Sequence, residues 1–66
     1  MLQSIIFSKE LFTPRQVFNW LMRHGYKHTK LDIETNTIRS RQEIPKKNKR
    51  YYSKVIENGI VFVFME

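Results

Sequence analysis

The chain opens on a short apolar run, Ile5, Ile6 and Phe7, whose β-branched and aromatic side chains predict a strand. A helix pattern follows. Thr13 suits the N-cap, Pro14 the first helical position, and Gln16 completes a Thr-x-x-Gln capping box. Phe12 and Val17 stand at the spacing of a hydrophobic staple. Val17, Phe18, Trp20, Leu21, Met22 and His24 then fill a broad helical arc, leaving Gln16, Asn19 and Arg23 on a narrow polar side. Gly25 supplies the left-handed position that ends a helix, and Arg23 and His24 complement its dipole. The helix is predicted over Pro14–His24.

Beyond it the period changes to two. Leu31 and Ile33 alternate with Asp32 and Glu34, and Thr35-Asn36-Thr37 offers a turn. Ile38, Ser40, Gln42 and Ile44 then face one way, with Arg39, Arg41 and Glu43 facing the other. Pro45, which has no N–H to give a ladder, ends that strand. Asn58-Gly59 between Tyr51–Glu57 and Ile60–Met65 predicts a hairpin with a two-residue type I′ turn. That turn sets Val55 opposite Phe62 and Ser53 opposite Phe64 on one face, with Ile56, Val61, Val63 and Met65 on the other. Both faces are apolar near the turn, so this strand pair is expected to be central or covered on both sides. The order β-α-β-β-β-β predicts an α+β fold, one helix packed on a small antiparallel sheet, in a single domain spanning residues 1–66.

Length and composition narrow the picture. A chain of 66 residues buries only about 60% of the surface its unfolded form exposes, so its stability is marginal. It has no cysteine, which removes disulfides and Cys-based zinc sites, and His24 and His28 alone make a poor metal set. No cofactor is expected. The run Ile5–Phe7 is far shorter than a signal-peptide h-region, and no apolar stretch approaches the ~20 residues of a membrane span. Oligomerisation remains as a route to further buried surface.

Charge changes the picture most. The formal net charge of +6 resides entirely in residues 39–54, where Arg39, Arg41, Lys46, Lys47, Lys49, Arg50 and Lys54 face the single acid Glu43. A basic patch with Tyr51 and Tyr52 beside it points to a polyanion, nucleic acid first, with DNA ahead of RNA. Arg39 and Arg41 stand at alternate strand positions, about 6.5–7 Å apart on one face, close to the spacing of successive phosphates. The competing reading is a cross-strand salt ladder, with Glu34 opposite Arg39 and Asp32 near Arg41, and the two readings can coexist. The Lys46–Arg50 run resembles a nuclear-localisation or nucleic-acid patch, and also a solvated loop. Tyr51 could stack on an unpaired base or serve as a strand residue. Trp20 is a core residue or, if its wide helical arc stays partly uncovered, a protein interface. Catalysis has little to stand on, because Ser4, Ser8, Ser40 and Ser53 lack a histidine in any recognisable arrangement. No enzyme is expected.

Phe12-Thr13, Trp20-Leu21, His24-Gly25-Tyr26-Lys27, Asp32, Glu34-Thr35, Arg39-Ser40-Arg41-Gln42, Pro45, Tyr51-Tyr52 and Gly59-Ile60 run in an order that resembles a small module of tailed phages and large eukaryotic DNA viruses. In phages that module lies near, or is appended to, head-morphogenesis proteins such as prohead proteases. The chain departs from the pattern at Ile38 and Ser40, where aromatic residues are expected, and in a more basic loop after Pro45. The resemblance implies a viral origin and a non-enzymatic role, inside the infected host (cytoplasm or nucleus) or packaged in the virion. The expectation is therefore a small viral accessory protein that binds nucleic acid non-specifically through backbone phosphates. The alternative is a virion structural or assembly module, self-associating or held to a virion protein through Trp20. No membrane partner is expected.

Overall fold

The helix forms where its caps place it. In the computed structural model, which describes residues 1–66, α1 spans Pro14–Arg23. Both bonds of the capping box are present: Gln16 N donates to Thr13 Oγ1 at 3.2 Å and Thr13 N donates to Gln16 Oε1 at 2.8 Å. His24 is the C-cap rather than the last helical residue. Gly25 takes φ 77, Gly25 N donates to Met22 O and Tyr26 N to Leu21 O, which is the full Schellman arrangement. Tyr26 and Leu21 both join the core, so this stop is also a packing contact.

The strands are β1 (Leu2–Ser8), β2 (Leu31–Ile33), β3 (Thr37–Arg41), β4 (Tyr51–Glu57) and β5 (Ile60–Met65). They form one antiparallel sheet in the order β2-β3-β1-β5-β4, with β1 in the middle. The fold is thus α+β, with α1 packed on one face of the sheet. Ile5, Phe7, Ile38 and Ile60 on that face meet Val17 and Leu21 of α1, all fully buried. Each such burial stabilises by about 1.5–3 kcal/mol relative to exposure. Trp20, Tyr26 and Phe62 extend the core as an aromatic cluster, with Phe7 and Trp20 edge to face at 5.5 Å. The opposite face has no helix. It carries Ile6, Val61 and Val63, flanked by Arg39 and Arg41 on β3 and by Ser53 and Val55 on β4.

Two expectations about the hairpin are corrected. Its strands have the predicted bounds, but Asn58 does not adopt positive φ; only Gly59 does, at φ 85. The turn is therefore not type I′. A bulge at Ile56 follows from the mismatch, and it sets Val55 opposite Val61, Ser53 opposite Val63, Lys54 opposite Phe62 and Tyr52 opposite Phe64. One extra residue moves the whole of β4 below the bulge to the other face. The second correction is position: β4 is an edge strand, exposed along its entire length, and β5 alone lies inside the sheet. The bulge puts Lys54 among the covered-face residues and Ser53 and Val55 on the uncovered face. Neither face of β4 therefore offers a continuous apolar stripe for a sixth strand or a second helix.

β3 also stops short of Pro45. Gln42 N and Glu43 N both donate to Gln3 O, at 2.7 and 3.0 Å, which turns the chain under the start of β1. Residues 42–50 then cross the feet of β1 and β5 to reach β4, and Glu66 N donates to Arg50 O as they arrive. The far end of the sheet is closed differently, by tight turns. There Ser8 N donates to Gly59 O and Lys9 N to Asn36 O.

Candidate nucleic-acid interface

The pleat and the topology sort the seven predicted basic residues into three places. Arg39 lies on the uncovered face, half-buried, opposite Ile6 on one side and Asp32 on the other. It has no carboxylate partner; its Nη1 sits 3.4 Å from Oγ of the fully buried Ser4. Arg41 shares that face two residues on and makes the one ion pair of the molecule, Nη2 to Asp32 Oδ2 at 3.7 Å. Half of the expected ladder therefore exists. Glu34 is occupied elsewhere, accepting from Thr37 Oγ1 at 2.9 Å in the β2–β3 turn. Lys54 lies on the opposite, helix-covered face, across from Phe62. Lys46, Lys47, Lys49 and Arg50 ride on the crossing loop at the foot of the sheet.

That loop is held in shape. The Tyr51 hydroxyl accepts from Lys46 N at 2.8 Å and donates to Lys46 O at 2.7 Å, so a single side chain clamps both backbone groups of one residue. Asn48 takes φ 62, a left-handed conformation that asparagine tolerates better than most residues, and turns the chain between the lysines. The Tyr51 hydroxyl is thus committed to bracing the basic residues, while Tyr52 stacks on Phe64 at 5.3 Å.

The fold adds two bases that the charge window misses. Gln42 is buried, its Oε1 accepting from Lys27 N at 2.9 Å and its Nε2 donating to Lys27 O and to Ser40 Oγ. Ser40 Oγ donates to Lys27 O as well. This network pins the segment after α1 to the end of β3. Lys27, Lys30 and Arg41 consequently line one shallow depression, with Asp32 and Glu43 on its walls. The signal was present in the sequence: residues 23–30 hold Arg23, Lys27 and Lys30 and no acid, and a helix that crosses back over β1 must deliver them to the foot of the sheet.

The outcome is a molecule polarised end to end. Lys27, Lys30, Arg41, Lys46, Lys47, Lys49 and Arg50 gather at the foot, opposed by Glu43 and Glu66. At the turned end Glu10, Glu34 and Glu57 outnumber Lys9 and Arg15. A seven-residue strand separates the two by about 20 Å, some two screening lengths at 0.1 M salt, so each end presents its own field.

Trp20 is half-buried, stacked on His24 at 3.9 Å and packed against Phe7, Tyr26 and Phe62. Its outer edge borders a shallow groove with Leu11, Phe12 and Met22. No family model, curated protein or solved structure matches the chain.

Proposed function

We propose that this protein binds nucleic acid, DNA ahead of RNA, non-specifically through backbone phosphates, with the foot of the sheet as the contact surface. The observation that carries the reading is the gathering of Lys27, Lys30, Arg41 and the braced Lys46–Arg50 loop at one end, away from the acids of the other. Lysine ammoniums on a loop are point charges that suit phosphate oxygens, and nothing at this end has the rigid, groove-sized shape that base reading requires. The long Arg41–Asp32 pair is exposed on both sides and yields readily to a phosphate. On the resemblance to the phage and large-virus module, the polyanion is a viral genome and the role is accessory, without catalysis.

The test is fluorescence anisotropy of labelled duplex and single-stranded DNA at 50 and 200 mM salt. If 4–6 phosphates are neutralised, the log–log salt slope on duplex should be roughly −3.5 to −5.5. Replacing Lys46, Lys47 and Lys49 together by alanine should reduce that slope by roughly 2–3, whereas Arg39→Ala or Lys54→Ala, each on a different face, should reduce it by less than about 1. Absence of binding at 50 mM salt, or a slope indifferent to the triple replacement, would refute the reading.

A further inference from the structure

We propose that the free edge of β4 pairs antiparallel with β4 of a second copy, joining two five-stranded sheets into one. Of the two sheet edges, β2 is only three residues long, a length that offers little to a pairing strand. β4 offers seven, and the exposed apolar side chains of the sheet concentrate on it: Tyr51, Tyr52, Val55 (71% exposed) and Ile56.

The occupant is identified by the strand's own symmetry. Tyr51–Val55 is the stretch of β4 that pairs residue for residue with β5, before the bulge at Ile56. Its midpoint is Ser53. A two-fold axis through Ser53 sets each Tyr51 against the partner's Val55 on the uncovered face and each Tyr52 against the partner's Lys54 on the other. The first is an aromatic–β-branched pair and the second brings an ammonium to a ring. Just beyond, Lys49 comes beside the partner's Glu57. The antiparallel arrangement thereby sets the basic end of each copy against the acidic end of the other, which turns the polarity of the monomer into complementarity. Neighbouring registers lack these features. An axis through Lys54 opposes two ammoniums, and one through Val55 places the bulge inside the new ladder.

Cysteine pairing tests the register, since the chain has no cysteine of its own. The experiment uses the full chain without nucleic acid, so it stands apart from the DNA reading. Ser53→Cys puts two thiols on strands with Cα atoms about 5 Å apart, within disulfide reach, whereas Lys54→Cys puts them about 8 Å apart, beyond it. Under mild oxidation the Ser53→Cys protein should become a covalent dimer about tenfold faster than the Lys54→Cys and Val55→Cys proteins. Sedimentation equilibrium of the unmodified chain should show monomer and dimer, and Val55→Lys, which acts twice across the axis, should raise the dissociation constant about tenfold with an unchanged circular dichroism spectrum. Equal cross-linking rates at the three positions would overturn the proposal. So would a chain that stays monomeric to millimolar concentration, a dimer indifferent to Val55→Lys, or association into larger species.

Discussion

The two ends of the sheet solve the same problem, closing a β-layer, with opposite materials. At the turned end, backbone meets apolar side chains: Gly59 approaches Leu11 and Phe12 so closely that nothing larger fits. At the foot, a long connection is held by buried polar groups, with Gln3, Gln42 and Ser40 all buried and no buried side-chain polar atom left unpaired. The difference shows how a small domain can display a dense positive charge and still fold. Apolar contact fixes the end that carries few bases, while side-chain-to-backbone hydrogen bonds fix the end whose lysines must stay in water. A greasy closure at the foot would have covered the stems of Lys27 and Lys46 and competed with their solvation.

The largest expected effect tests the tight end. A Cβ at Gly59 would lie 2.7 Å from Leu11 Cδ1 and 3.0 Å from Phe12 Cε2, on a residue already at φ 85. Gly25 has nearly the same φ, 77, yet open space around it. Left-handed strain alone costs about 1 kcal/mol, and crowding adds about 1–2, so Gly59→Ala should destabilise by about 2–3 kcal/mol and Gly25→Ala by about 1. Urea denaturation followed by tryptophan fluorescence measures both. Equal losses would mean that the turned end is not tightly packed and that the comparison between the ends fails.

Next in size is the polar network at the foot. Gln42→Leu keeps the volume but leaves Lys27 N without its acceptor, at an expected cost of about 1–3 kcal/mol. Its second consequence is more telling. With the segment after α1 released, Lys27 and Lys30 leave Arg41, and DNA affinity should fall although no charge has been removed. Loss of stability with unchanged affinity would show that those two lysines play no part in the interface.

The same contrast explains what could be read in advance. Helix α1 was legible nearly to the residue, because Thr13, Gln16 and Gly25 act through local hydrogen bonds that depend on the chain within five residues. Strand existence was legible for the same reason. The register of β4 was not: Asn58-Gly59 is compatible with more than one turn, and the bulge at Ile56 is settled by how the turn packs on Leu11 and Phe12, which come from a distant part of the chain. The end of β3 was missed because Gln42 and Glu43 turn toward Gln3 O, a partner some forty residues away. For the charged surface, the window 39–54 was visible as composition. Its division among two faces and one end, and the addition of Lys27 and Lys30, depend on strand order, which the alternation of side chains does not encode.

The smallest expected effect isolates the field at the foot from the fold. Asp32 pairs with Arg41 at 3.7 Å, with both side chains more than half exposed, so Asp32→Asn should change stability by less than about 0.5 kcal/mol. Its influence on binding should be larger than that on folding, because the acid both occupies Arg41 and repels an approaching phosphate. An exposed pair of this kind is worth about 0.2–1 kcal/mol, so DNA affinity at 50 mM salt should rise by a factor of about 1.5–5 and the gain should shrink at 200 mM. Glu10→Gln removes the same charge at the turned end, about 20 Å away, and should leave affinity unchanged. If the two substitutions raised affinity equally, net charge alone would govern binding, and the polarity of the molecule would have no functional meaning. If only Asp32→Asn did so, the foot of the sheet would be the surface that meets the polyanion.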